Sequence, residues 1–489
     1  MWLVAASRPS GAPRRLHRPE SVRRTEFEPC YAWTMWTIAY HSGTLIVRGA
    51  AVADLPAGFI HDDRISAPRG PAWQYASVVL QARAQGRPYT DEARQWLPLD
   101  DLVHTAPRTP RDYQRAAVDA WKASGRKGIV VLPTGTGKSF VAELAIAESR
   151  RPTLILAPTL DLVGQWHSRM SAVFSGPIGL MGGGHHEIER ITVSTYDSAH
   201  LHLHRYGDRF GLIVFDEVHH LPAPAYLAAA EGAMAPFRLG LTATLEREDD
   251  RQELLQAACG EVVYRRGITE LSGEYLAEYE TIRLSVVLSE QEHHEYTAAR
   301  KVYTDFIRSE GISMRSPRGW QNFLSAAARS RAGRAAFKGY QTYKRIAHGT
   351  ERKLDLLSAL LDDEAGRRTI IFTHDNATAY RVSREFLIPC ITHQTDLKER
   401  KGYLASFESG ELPILVTSRV LNEGVDLPTA EVAVVLSGTG TVREHVQRLG
   451  RILRPGEGKR AVLYELVTKD TTEEFTSNRR RKHDAYQRQ

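Results

Sequence analysis

Two series of uninterrupted apolar runs, each run followed by a stretch with helical periodicity, constrain this chain more than any other feature of it. The first series is GIVVLP, TLILAP, ITVST, LIVFD and RLGLTAT; the second is TIIFT, ILVTS, VAVVL and AVLYELV. A strand that is apolar at every position is buried on both faces. Helical connections between such strands return the chain to the same end of the sheet, so both series predict parallel sheets covered by helices. The expected fold class is therefore α/β, with two lobes in tandem, about residues 108 to 262 and about 263 to 475. From about Ser289 to Gly349 the pattern turns helical and rich in Arg, Lys and Tyr, which predicts a mostly helical insertion in the second lobe. Upstream, TIAYHSG, TLIVRG and FIHDDRISAPRG alternate between Gly and Pro turn signals, predicting a small mixed domain over about residues 35 to 107. Residues 1 to 34, rich in Arg, Pro and Ser, are expected to form a disordered basic extension, and residues 476 to 489 a basic tail.

With 489 residues, 42% hydrophobic and 25% charged, the chain has enough apolar material for a large core without covalent staples. Its 64 Lys and Arg against 58 Asp and Glu leave a net charge of +6, which suits a phosphate-bearing partner without requiring one. Cys30, Cys259 and Cys390 lie far apart, which argues against a disulfide framework or a CxxC metal site and favours a reducing compartment. No apolar run approaches the roughly 20 residues of a membrane span. The start of the chain also lacks the continuous apolar core of a secretory signal. A soluble, cytoplasmic protein with no membrane partner is expected.

Directly after GIVVL comes Pro133-Thr134-Gly135-Thr136-Gly137-Lys138-Ser139, and then the helical run FVAELAIAES. Strand, glycine-rich loop and helix in that order form a phosphate cradle. Loop amides and the helix N-terminus point at the phosphates, Lys138 neutralises the β and γ oxygens, and Ser139 offers its hydroxyl to Mg²⁺. The implied cofactors are ATP and Mg²⁺. Leu132 stands where the general pattern has its first glycine. Farther along, LIVFD runs into Asp216-Glu217-Val218-His219, placing two carboxylates at the carboxyl end of a buried strand, where ligands of α/β sheets bind. Asp216 is suited to hold the Mg²⁺ shell and Glu217 to orient or deprotonate the attacking water; taken alone, the pair could equally be a solvated turn. In the upstream segment PRDYQ, Gln114, beside Arg111, carries an amide able to match donor and acceptor on an adenine edge, or else is a surface residue at a helix start.

The second lobe has no phosphate loop of its own but contains Gln447-Arg448-Leu449-Gly450-Arg451-Ile452-Leu453-Arg454. Arg451 and Arg454, three apart, share one helical face. Such a pair either reaches across a cleft to stabilise charge on the γ-phosphate or forms a basic solvated helix.

Taken in order, PRDYQ, PTGTGKS, APTLDLVGQW, VSTYDS, DEVHH, LTATLERED, IFTH, VTSRVLNEGVDLP and QRLGRILRP resemble the motifs of helicase superfamily two over about residues 108 to 475. DEVHHLPA, LGLTATLEREDD, the helical insertion and LYELVTKDTTEEFTSNRRRKH resemble, more narrowly, the XPB-like DNA helicases of nucleotide excision repair and transcription. The resemblance implies two tandem RecA-like lobes and 3′ to 5′ movement on DNA, single-stranded, forked or duplex. It further implies that Gln447, Arg451 and Arg454 act in catalysis and that Gly424 and Asp426 contact nucleotide at the cleft. Thr242 and Thr244 would couple hydrolysis to lobe movement. Pro158, Thr159, Thr195, His374 and Thr417 would touch the strand backbone, Arg247-Glu248-Asp249 would form the duplex-opening element, and the inserted helices would grip DNA as a thumb. The small domain stands where the family carries a damage-recognition domain, though no motif for it can be quoted.

Alternating His200, His202 and His204, with His185 and His186 after a glycine triplet, are read as polar loops or a solvated edge rather than a metal site. There is no nuclease constellation, so any cutting would come from a partner nuclease. Rival readings remain: a duplex translocase that does not separate strands, an RNA helicase, or an ATP-gated scaffold that recruits a nuclease. A DNA motor of this kind would work in the cytoplasm, at the nucleoid.

Overall fold

In a computed structural model of the chain, the structure describes residues 34–105, 108–245, 252–316, 318–418, 430–437 and 460–480. Among them the strands form three sheets.

The first sheet belongs to the small N-terminal domain and holds β1 (Trp36–His41), β2 (Thr44–Arg48), β3 (Ile60–Asp62), β4 (Ala67–Pro71) and β5 (Tyr89–Asp91), in the order β3-β4-β2-β1-β5. Its hairpins are antiparallel, but β5 joins β1 in parallel after the helix Tyr75–Ala84, which makes the sheet mixed. Trp36, Ile38, Leu45 and Val47 alternate inward against Val78 and Ala82 of that helix. The domain is seated on the first lobe through Tyr40, whose hydroxyl lies 3.0 Å from the carbonyl of Leu203 and 3.1 Å from that of Gly232.

The second sheet contains β6 (Lys127–Val131), β7 (Thr153–Ala157), β8 (Ile178–Gly182), β9 (His185–Glu187), β10 (Ile191–Thr195), β11 (Leu212–Asp216), β12 (Phe237–Thr242) and β13 (Val262–Arg265). Their order is β13-β6-β12-β11-β7-β10-β8-β9, parallel throughout except for the edge hairpin of β8 and β9. Alternation explains the unbroken apolar runs. Val130 and Leu132 face the helices Asp112–Ala123, Lys138–Ser149 and Leu160–Val173, while Ile129 and Val131 face Tyr196, Ala229 and Leu255 on the other side. The first lobe continues past residue 262, because β13 pairs with β6 and the short helix Ile268–Leu271 adds Ile268 and Leu271 to the core.

The third sheet, of the second lobe, contains β14 (Glu278–Val286), β15 (Thr369–Phe372), β16 (Cys390–Ile391), β17 (Ile414–Thr417), β18 (Val432–Val435) and β19 (Arg460–Thr468). All pairings are parallel, in the order β14-β19-β18-β15-β17-β16. Between β14 and β15 the chain leaves the sheet through the helices Glu290–Ser309, Gly319–Arg329 and Arg331–Gly349, which pack around Tyr296, Tyr303, Phe306, Phe323 and Tyr343. Ser289 opens this excursion with a capping box, its hydroxyl accepting from Glu292 N while the Glu292 carboxylate accepts from Ser289 N. The helix Thr472–Arg480 carries the chain into the basic C-terminal stretch.

One buried ion pair fastens the second lobe. Lys353 Nζ donates to Glu473 Oε2 and to the Leu436 carbonyl, both at 2.7 Å, and Thr468 N donates to the same carboxylate oxygen at 2.9 Å. Neither side chain of the pair is more than 1% exposed. Lys353→Met should leave the Glu473 carboxylate buried without its countercharge and destabilise the lobe by about 3–5 kcal/mol. Thermal unfolding reads the loss, and an unchanged midpoint would show that Glu473 finds another cation.

Candidate nucleotide and strand-binding site

At the end of β6 the backbone turns into the phosphate loop, which is tied down at several points. Leu132 N donates to the Thr242 carbonyl at 3.0 Å, and Thr136 Oγ1 donates to the Pro133 carbonyl at 2.7 Å. From the helix Asp112–Ala123, the Tyr113 hydroxyl and Gln114 Nε2 both donate to the Thr136 carbonyl, at 2.6 and 2.9 Å. Gly135 and Gly137 take φ of +86° and +81°, conformations that cost other residues strain. A Cβ at Gly137 would also stand 2.7 Å from Gln114 Nε2, so a larger residue there would displace the amide that holds the Thr136 carbonyl. Lys138 begins the helix that follows, at the positive end of its dipole.

Gln114 therefore has a supporting role beside the one expected of it. Its Oε1 accepts from Arg111 N at 3.0 Å while Nε2 holds the loop, which leaves one amide hydrogen and one lone pair for a further partner. The Arg111 guanidinium lies over the Tyr275 ring, 5.3 Å from its centroid, and donates to the Tyr113 hydroxyl at 3.2 Å.

Because β12 lies between β6 and β11, the ends of three adjacent strands bring Lys138, Thr242 and the Asp216-Glu217 pair to one edge of the sheet. Asp216 is buried, and burial, reinforced by the charge of Glu217, pushes its carboxyl up to about 6; the Trp166 N–H and the charge of Lys138 pull the other way. Trp166 Nε1 donates to Asp216 Oδ2 at 2.7 Å, and Glu217 N donates to Oδ1 at 3.0 Å. Glu217 is held at φ +46°, an unfavourable region for a residue with a Cβ, at the sharp turn after β11. His219 Nδ1 stands 3.0 Å from Thr242 Oγ1 and 3.4 Å from Glu217 Oε2. Since the Thr242 hydroxyl donates to the Thr244 carbonyl at 2.8 Å, the proton between His219 and Thr242 is assigned to Nδ1. A polar chain thus runs from Glu217 through His219 to Thr242 and Thr244.

Pro158 and Thr159 follow β7, and Thr195 ends the adjacent β10, in register with Ala157. Both threonines cap helices that start side by side: Thr159 accepts from Leu162 N at 3.3 Å and Thr195 from Ser198 N at 3.0 Å. In the second lobe, Thr417 pairs with Phe372, next to the His374 segment, where His374 N donates to Ser437 Oγ at 2.8 Å. Thr417 itself is fully buried, with its hydroxyl donating to the Ile391 carbonyl at 3.0 Å, and Ser418 after it is buried too, so the Thr417 side chain is not at the surface expected of a strand contact. Arg400 NH1 donates to Asp161 Oδ2 at 2.9 Å, joining the second lobe to the helix capped by Thr159. Arg247, Glu248, Asp249, Gly424, Asp426, Gln447, Arg451 and Arg454 lie outside the described residues.

Sequence reasoning did not single out Trp166, His219 or Tyr113. Each stood inside a quoted segment, but its partner lies far away along the chain or across the sheet. The alternating histidines need a correction. His200 and His202 belong to the helix Tyr196–His202, started by the Thr195 cap, and not to a loop or sheet edge; His204 lies in the 3₁₀ turn after it. His202 meets His186 of β9 edge to face at 4.5 Å.

Comparisons with known proteins cover all three parts of the chain. Residues 108–247 match the family described as type III restriction enzyme, res subunit, and residues 352–456 match the helicase conserved C-terminal domain. Residues 38–93 match the xeroderma pigmentosum group B helicase damage recognition domain. The chain is 41% identical to the DNA 3′-5′ translocase XPB2 of Sulfurisphaera tokodaii over 76% of its own length and 84% of the relative's. It is 31% identical to the DNA 3′-5′ helicase XPB of Mycobacterium tuberculosis, of which it spans 63%. Of the general transcription and DNA repair factor IIH helicase/translocase subunit XPB of Schizosaccharomyces pombe it spans 45%, at 27% identity. Among solved structures, the Hef helicase domain of Pyrococcus furiosus shares the fold with a TM-score of 0.51 and 20% identity, over 75% of this chain and 97% of that one.

Proposed function

The chain belongs to the XPB-like helicases of superfamily two, and from that membership we propose that it hydrolyses ATP to move 3′ to 5′ along DNA, in the service of repair. The observation that carries the proposal is the meeting of Lys138, the Asp216-Glu217 pair and Thr242 at the carboxyl ends of neighbouring parallel strands, beside two capped helix starts able to hold a phosphate backbone.

The loop suits a triphosphate. Thr134 Oγ1 is buried and, among the described residues, has no hydrogen-bond partner, as a donor kept for a phosphate oxygen would be. Ser139 and Asp216 offer the hard oxygen ligands that Mg²⁺ prefers. When bound there, the ion would neutralise charge between the β- and γ-phosphates. Lys138 holds the γ-phosphate, Glu217 takes the proton of the attacking water, and Gln447, Arg451 and Arg454 complete the shell from the second lobe, with Gly424 and Asp426 at the cleft. Arg111 and Gln114 position the base. Pro158, Thr159 and Thr195 grip the strand from one lobe, and His374 from the other. A change in lobe spacing over the hydrolysis cycle then becomes a step along the backbone. Arg247-Glu248-Asp249 opens duplex, the inserted helices grip it, and the N-terminal domain reads damage. A partner nuclease supplies any cutting, and the work is done in the cytoplasm, at the nucleoid.

The test is the steady-state ATPase rate with single-stranded DNA, forked DNA, duplex and RNA at one salt concentration. DNA should stimulate turnover, most strongly as single strands or forks, and the stimulation should fall with added salt because the contacts are to phosphates. Equal or greater stimulation by RNA would refute the DNA assignment.

A further inference from the structure

We propose that the helix Leu160–Val173 is the lever that carries strand binding and lobe contact to the catalytic carboxylate, with Trp166 as the positioning residue at its working end. The proposal deepens the motor reading and rests on it.

Three contacts are spaced along this helix. At its start, the Thr159 cap lies in the candidate strand grip. In its first turn, Asp161 accepts from Arg400 of the second lobe at 2.9 Å. About a turn and a half later, Trp166 Nε1 donates to Asp216 Oδ2 at 2.7 Å. Val163, Trp166, Met170 and Val173 form the buried stripe by which the helix packs on the sheet, so Asp161 and Trp166 point different ways from one rigid body. A shift of the helix start, forced by a strand on Thr159 or by the second lobe pulling on Asp161, therefore moves the indole against Asp216.

Tryptophan suits such a task. Its N–H is a donor only, so the contact exists only while a carboxylate oxygen faces it, and the stiff ring passes on displacement that a flexible side chain would absorb. The bland alternative is a core tryptophan that merely satisfies its N–H, and the same lobe contains one. Trp121 is fully buried and donates to the Arg238 carbonyl at 2.9 Å, away from the acid pair. Trp166 differs in donating to the side chain proposed to hold the metal shell, in a site where both groups are nearly free of solvent.

That difference gives a matched control. Trp166→Phe and Trp121→Phe each delete one buried N–H and keep an aromatic ring. Binding of a fluorescent ATP analogue to the full chain would be measured with Mg²⁺ and with EDTA, and ATPase rates with and without single-stranded DNA. Trp166→Phe should lose about tenfold of the affinity gained on adding Mg²⁺, leave the EDTA affinity unchanged, and lower the DNA-stimulated ratio. Trp121→Phe should change none of these. Arg400→Gln should keep the Mg²⁺ gain but lower the DNA-stimulated ratio. The proposal is overturned if Trp166→Phe behaves like Trp121→Phe, if it weakens binding equally with and without Mg²⁺, or if Arg400→Gln stimulates like the wild type. Wild-type ATPase in Lys138→Ala would instead refute the motor reading beneath it.

Discussion

Lys138→Ala should abolish DNA-stimulated ATP hydrolysis, lowering turnover by at least about 10³-fold, while the protein stays folded. The ammonium begins the helix after the phosphate loop, where loop amides and the helix dipole already favour an anion. They supply partial charges; the lysine supplies a whole one against a γ-phosphate whose charge must spread as the bond breaks. Loss of a single neutral donor in a comparable site costs about 10²–10³-fold, and loss of a full charge costs more. Stability should barely move, because Lys138 is only partly buried and, among the described residues, donates to no protein group that would be left unpaired. ATPase assays with saturating single-stranded DNA, together with thermal unfolding, separate the two effects. Residual turnover near the wild-type rate would mean that the loop binds something other than the reacting triphosphate.

Glu217→Gln is the second large effect, and its value lies in what it preserves. The amide has the shape of the carboxylate but accepts no proton, so hydrolysis should fall by about 10²–10⁴-fold while ATP affinity holds or rises. Glutamine keeps the backbone N–H that donates to Asp216 Oδ1 at 3.0 Å, which should keep the turn after β11 intact. A motor so altered binds DNA and ATP and stands still; an ATP-gated scaffold so altered stays engaged and keeps its function. Nucleotide-affinity measurements alongside single-turnover hydrolysis decide between them, and parallel loss of binding and hydrolysis would indicate a disrupted turn rather than a missing base.

Much of this architecture was legible because burial on both sheet faces writes itself as unbroken apolar runs. β6 and the residue after it illustrate the point, with Ile129 and Val131 facing one helical layer and Val130 and Leu132 the other. The phosphate loop was legible for a different reason: left-handed glycines followed by a lysine at a helix start leave few alternatives. β14 left a weaker trace. It is an edge strand whose Glu278, Glu280 and Arg283 interrupt the apolar pattern, and only its nine-residue parallel pairing with β19 reveals it. The first lobe likewise extends past residue 262 because β13, a short partly buried edge strand, pairs with β6. The histidine alternation misled because the Thr195 cap, not the spacing of the imidazoles, determines the local conformation. Thr417 stands at the expected strand end, but which way a side chain points there depends on the pleat, and its hydroxyl turns inward. Trp166 could not be assigned from sequence, since its bond to Asp216 joins residues 50 apart and exists only through the packing of a helix on the sheet.

Movement along DNA is the claim on which everything else depends, and displacement of a third strand from duplexes carrying a single-stranded tail of either polarity tests it most directly. With ATP, the wild-type chain should displace the third strand when loaded so that it travels 3′ to 5′, much more slowly in the opposite orientation, and Glu217→Gln should displace none in either. Displacement independent of orientation, or undiminished in Glu217→Gln, would contradict the account.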